Sequence, residues 1–158
     1  MTEATRVAVR QMLDAHNTLT LATGSMEAPW AATVFYTSDD AFNLYFVSDE
    51  RTRHARDMAR NASVALAINA DVDNWDDVRG LQIGGRAELV GPAERPQALA
   101  LYLAKFRSVQ ALFDSPRNPD EALIAKRLQQ TAFWRVRPFY IRLIDNRRGF
   151  GFKEELRF

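Results

Sequence analysis

At 158 residues, with 47% hydrophobic and 26% charged side chains, the chain has the composition of a single soluble globular domain with one buried core. It contains no cysteine and only two histidines, His16 and His54. That excludes disulfides, thiolate nucleophiles, cysteine-bound zinc or iron–sulfur clusters, and a histidine-rich metal site built from one chain. A net charge of +1 from 21 basic and 20 acidic groups gives no electrostatic reason to expect nucleic acid.

The N-terminal MTEATRVAVRQ mixes acids and bases and lacks the apolar run of a signal peptide, and no stretch of about 20 apolar residues offers a membrane span. A cytoplasmic location without membrane contact is the expectation. Residues 5–15 predict a short helix with Val9, Met12 and Leu13 near one face, Thr2 or Thr5 as its cap, and His16 and Asn17 at its end. His16 is placed to bond the terminal carbonyls.

Residues 18–23 (TLTLAT) predict a strand, the turn formers GSMEAP follow, and residues 30–37 (WAATVFYT) predict a second. A turn at Ser38, Asp39 and Asp40 leads to a third strand at 43–47, so the first three read as an antiparallel meander. The period then changes. Residues 52–60 (TRHARDMAR) predict a helix capped by Thr52, closed by Asn61 and followed by a strand at 63–69.

Residues 71–77 (DVDNWDD) form an acidic loop around Trp75. The acids Asp71, Asp73, Asp76 and Asp77 lack the glycine and terminal glutamate of a calcium-binding loop and read as solvated. A strand at 80–90 carries Gly84 and Gly85, which mark a bulge or a close backbone approach.

Helices are expected at 96–105 and 120–129, with irregular chain over SVQALFDSPRNP between them. Two closing strands are expected at 132–136 and 139–144, and the tail GFGFKEELRF reads as a further edge strand. Arg147 and Arg148, ahead of that tail, are too short a basic run for a nucleic-acid surface. The order of elements predicts an α+β, mainly β fold: a six- or seven-stranded antiparallel barrel forming one domain over 1–158.

The stretch FVSDERTRHARDM carries the clearest chemical signal. A strand ends at Ser48 and a helix starts at Thr52, so unpaired helix-start N–H groups and two hydroxyls can meet an anion such as phosphate. Arg51, Arg53 or His54 would add charge. The alternative is a plain helix cap with solvated arginines. No Ser-His-Asp nucleophile is indicated, because the strand–turn–helix elbow is absent.

The pattern LATGSMEAPWAATVFYTSDDAFNLYFVSDERTRHARDMARNASVALAIN followed by GLQIGGRAELV, and more weakly FWRVRPFYIRLID, resembles the pyridoxamine 5'-phosphate oxidase-like, flavin mononucleotide-binding split barrels. By that resemblance Ser48, Thr52 and Arg53 contact the cofactor phosphate, with His54 standing where those oxidases have lysine. The resemblance further implies that Ala31, Ala32, Thr33 and Val34 line the flavin, that Gln82 is a hydrogen-bond partner, and that a homodimer holds the cofactor between subunits.

The arginine-leucine-x-proline ending of the oxidases themselves has no match here, which argues against their full vitamin-substrate pocket. The expected function is a flavoprotein oxidoreductase acting on a small molecule. Its alternatives are a flavin-binding or cofactor-free dimer without turnover and a haem-binding or haem-degrading barrel, with a deazaflavin as a further cofactor variant. No catalytic residue and no metal ligand is assigned.

Overall fold

The computed structural model describes residues 2–24 and 28–158. Within the expected first turn, Ser25, Met26 and Glu27 lie outside the described residues.

The chain starts with α1 (Glu3–Ala15), capped by the Thr2 side chain on the Thr5 amide, and continues into β1 (Thr18–Gly24), β2 (Pro29–Ser38) and β3 (Leu44–Val47). Helix α2 (Arg53–Arg60) precedes β4 (Ser63–Asn69) and β5 (Arg79–Leu89). Three helices follow, α3 (Arg95–Lys105), α4 (Arg107–Asp114) and α5 (Pro119–Gln130), before β6 (Phe133–Asp145) and β7 (Lys153–Arg157).

All registered pairs are antiparallel, in the order β3-β2-β1-β4-β5-β6-β7, and β3 also pairs with β6. That last pairing closes β1 to β6 into a six-stranded barrel and leaves β7 as an extra strand on β6. The meander and the closing tail strand agree with the sequence patterns.

Two elements differ from expectation. The segment after Lys105 is helical: Val109, Leu112 and Phe113 are half-buried at i, i+3 and i+4, an amphipathic face without a capping side chain to announce it. The two expected closing strands are one, β6, running through Pro138. Gly84 pairs with Tyr140 and Gly85 with Pro138, so Phe139 is the extra residue of a bulge. A bulge is where a proline, which has no amide hydrogen to give the ladder, is tolerated inside a sheet. Gly85 lies opposite, where an added Cβ would sit 2.6 Å from Val136 Cγ1 and 2.8 Å from the Arg137 carbonyl oxygen.

Strict alternation turns Leu19 and Leu21 of β1, Val64, Leu66 and Ile68 of β4, and Leu81 and Ile83 of β5 into the barrel. Each fully buried side chain of this size contributes about 1.5–3 kcal/mol. The two mouths are plugged. Helix α1 inserts Val9, Met12 and Leu13 at one end, where Tyr36 Oη donates to the Leu13 carbonyl at 2.8 Å. Helix α2 inserts Ala55 and Met58 at the other, where Thr23 Oγ1 donates to Asp57 at 2.9 Å.

The α3–α5 insertion builds a smaller cluster from Tyr45, Ala98, Tyr102 and Phe133. It is tied to α1 by Lys105, whose Nζ donates to the carbonyls of Leu13 at 3.0 Å and His16 at 2.6 Å and lies 4.1 Å from the Tyr36 ring centroid. His16 Nδ1 meets the Met12 carbonyl at 2.9 Å, the helix-end role expected of it. Among the described residues no helix is long and apolar enough to cross a membrane.

Candidate functional site

Ser48 follows β3 and is pinned by the start of β6. Its N–H donates to the Ala132 carbonyl at 3.1 Å, and its carbonyl accepts from Trp134 Nε1 at 3.3 Å. The residue is 7% exposed. From there the loop turns back, and Thr52 caps α2 by accepting from the Ala55 amide at 3.3 Å.

His54, in the first turn of α2, closes the group: its Nε2 lies 2.7 Å from Ser48 Oγ and 3.3 Å from Thr52 Oγ1. Thr52 already donates its hydroxyl hydrogen to the Asp49 carbonyl at 2.8 Å, so toward His54 it can only accept. The tautomer that satisfies both contacts therefore carries its hydrogen on Nε2. In it Ser48 Oγ accepts from the ring and keeps its own O–H for a ligand.

The first amides of α2, those of Arg53 and His54, have no carbonyl of their own helix within reach. The Ser48 hydroxyl and these two amides, with the His54 ring beside them, thus form a candidate anion cradle, in which Thr52, its hydroxyl already committed to Asp49, Ala55 and His54, positions the others. Burial lowers the pKa of His54 below its ordinary 6.5, with Asp57 acting the other way, so the ring is neutral at pH 7.

The arginines are placed differently. Arg51 is exposed and bound to Asp49 at 2.7 Å, a contact that holds the Asp49 carboxyl down to about 2. Arg53 turns away from Ser48. Its Nε lies 3.2 Å from buried Asp57, its Nη2 3.4 Å from the Ala28 carbonyl, and its guanidinium 5.2 Å from the Trp30 ring centroid. Ser48, Thr52 and His54 therefore form one group, while Arg53 is held against the start of β2.

Strand β2 supplies the second half of the site. It pairs with β1 over residues 29–35 but with β3 only at Tyr36, Thr37 and Ser38. Among the described residues the outer edge of 29–35 has no strand partner. The Tyr36 amide points to β1, donating to Asn17 at 3.1 Å. By alternation, the N–H and C=O groups of Ala31 and Thr33 point to the open edge and those of Ala32 and Val34 into the ladder. The Ala31 and Thr33 side chains face outward, whereas Val34 packs on the core.

Gln82 is elsewhere. It is exposed on β5, accepts from Arg142 Nη1 at 3.4 Å, and lines a shallow 400 Å³ depression with Thr20, Ala22, Ala65, Ala67 and Tyr140. Thr33, Thr20, Ala67 and Gln82 are successive cross-strand partners. Gln82 is thus three strand spacings, about 14 Å, from Thr33 within one chain.

Sequence reasoning missed three residues here. Asp57 anchors Arg53, and its i,i+4 spacing was a legible signal. Trp134 locks the Ser48 carbonyl, a contact across 86 residues with no local signature. Arg127 lines a 610 Å³ cleft with Asp49, Glu50 and Arg51 behind the cradle loop. Trp75, at the centre of the acidic loop, is exposed and packs edge-on against Phe150 at 5.8 Å.

A closed antiparallel six-stranded barrel with an extra strand and helices over both mouths defines an α+β split barrel. The chain belongs to the pyridoxamine 5'-phosphate oxidase family, whose model of that description matches residues 6–135.

A UPF0306 protein of Klebsiella pneumoniae (strain 342) is 27% identical over 150 residues, covering 94% of this chain and 90% of the relative. A haem-binding protein from Mycobacterium smegmatis superposes with a TM-score of 0.73 at 21% identity, over 99% of this chain and 59% of that one. An FAD-binding protein from Mesorhizobium loti does so with 0.64 at 15%, over 89% and 92%. At these identities the structural likeness shows the fold alone.

Proposed function

We propose that the chain binds flavin mononucleotide, with the phosphate at Ser48, Thr52, His54 and the start of α2 and the ring along the open edge of β2, and that it serves as an oxidoreductase for a small substrate. The observation that carries this reading is the adjacency of the two half-sites. The Ser48 hydroxyl and the first amides of α2 are neutral donors that suit a phosphate, and alternating backbone donors and acceptors at Ala31 and Thr33 suit the alternating C=O and N–H groups of a flavin pyrimidine edge.

Bound flavin would supply the electron transfer, while the protein orients the cofactor and leaves room for substrate. The phosphate test is the absorbance and mass of the ligand released from freshly purified protein. Yellow protein, or stoichiometric uptake of flavin mononucleotide by colourless protein, supports the reading; failure of both removes it. The released mass also separates flavin from deazaflavin, and binding without turnover by any reductant–acceptor pair marks a carrier.

A haem reading draws on the likeness to the Mycobacterium smegmatis protein. His54 could ligate iron through Nε2 only by leaving both hydroxyls, so haem and the cradle compete for one residue. A Soret band lost on His54→Ala would favour haem.

The outer face of β1, β2, β4 and β5 is small and uncharged around Thr20, Ala22, Ala31, Thr33, Ala65 and Ala67. A second copy of the chain covering it forms the proposed homodimer, and Gln82 then reaches the partner's cofactor, which it cannot do within its own chain. Ala67→Arg is expected to convert dimer to monomer in sedimentation analysis, because an unpaired charge in a close-packed interface is strongly disfavoured. A monomeric parent protein would remove the proposal.

A further inference from the structure

The basic pair Arg147 and Arg148 meets Arg79 at the α1 mouth of the barrel. A groove of about 480 Å³ runs there between α1 and the paired ends of β5 and β6. Its floor is apolar, formed by Ala8, Met12, Ala15 and Leu143.

The polar wall has three guanidinium groups and few acids to balance them. Buried Asp145 is taken by Arg147, through Nε at 2.8 Å and Nη2 at 2.7 Å. Arg148 faces Glu154 at 3.6 Å and lies 4.0 Å from the Phe152 ring centroid. Among the described residues Arg79 has no ion pair of its own. Exposed Asp77 acts on Arg147 from the solvent side, where its charge is screened. Arg79, whose charge also acts on Asp145, is thus the guanidinium of this wall without an ion pair among the described residues, and it stands beside an apolar floor.

We propose that this groove is a second ligand site, for a small amphipathic anion whose carboxylate or phosphoryl head meets Arg79 and Arg147 and whose apolar body lies along α1. The volume falls within the range of small-molecule sites, and guanidinium groups give such heads charge-assisted, directional bonds. The groove is at the opposite mouth from Ser48, Thr52 and His54, so it stands independently of the flavin reading.

Calorimetric titration of the purified chain with octanoate, phenyl phosphate and inorganic phosphate tests it. One saturable site is expected for octanoate or phenyl phosphate, at least about tenfold tighter than inorganic phosphate because the apolar body is buried. Octanoate alone assigns a carboxylate head and phenyl phosphate alone a phosphoryl head.

Arg79→Gln is expected to weaken binding about tenfold, and Ala15→Glu, at an exposed position of α1, to abolish it. Ser48→Ala and Arg86→Gln, both outside the groove, leave it unchanged. The proposal is overturned by no saturable binding, by inorganic phosphate binding equally well, by indifference to both groove substitutions, or by equal loss in Arg86→Gln or Ser48→Ala.

Discussion

Ser48→Ala is expected to weaken flavin mononucleotide at least about tenfold while leaving riboflavin within about twofold, since a hydrogen bond to a charged group is worth about 1.5–3 kcal/mol. Ser48 is the natural first target. Its backbone is held on both sides by β6, its Oγ accepts from His54, and its own hydrogen is available to a ligand. The hydroxyl can be removed without touching the α2 cap, which belongs to Thr52.

Arg53→Ala should cost less for the phosphate form, because Arg53 is committed to Asp57 and to the start of β2. Fluorescence titration of both ligands against both variants separates these effects. Equal losses for flavin mononucleotide and riboflavin in Ser48→Ala would remove the phosphate role from this residue. A larger phosphate-specific loss in Arg53→Ala would mean that Arg53 leaves Asp57 when the ligand arrives.

Lys105→Met is expected to lower stability by about 2 kcal/mol, a fall in Tm of roughly 4–8 °C for a chain of this size. The ammonium group ends α1 by serving the Leu13 and His16 carbonyls, and methionine fills similar space without a donor. Burial draws the Lys105 pKa down from 10.5 to about 8, with Asp14 acting in the opposite direction.

Between those two values the unfolded chain holds the proton that the folded chain has released. This residue therefore makes stability rise with pH from about 8 toward 10.5, where its neutral amine still donates. Denaturant unfolding across that window should give a flatter slope in Lys105→Met than in the parent. An unchanged slope would assign the pH dependence to another group.

Alternation in β1, β4 and β5 was legible because each strand has one face in the core and one in solvent, and local order alone sets that pattern. The cradle was legible for a similar reason: Ser48, Thr52 and His54 lie within seven positions and one turn joins them. Helix α4 was harder, since it has only eight residues and no capping side chain. Pro138 looked like a strand break and proved to be part of a bulge, because the glycine that admits it is more than fifty positions away. Arg53 shows where local reading stops. Its position in the motif is unchanged, but buried Asp57 and Trp30 decide where its guanidinium points.

The unpaired edge of β2 has a cost apart from any ligand. Exposed strand backbone is a template on which a second strand can pair, the first step toward sheet aggregation. Pro29 withholds one donor at the start of that edge, and Arg53 lies across Trp30 beside it, so a charged and imino-acid guard shortens the usable template. A ligand lying along Ala31 and Thr33, as proposed, would also cover amides that otherwise offer such a template.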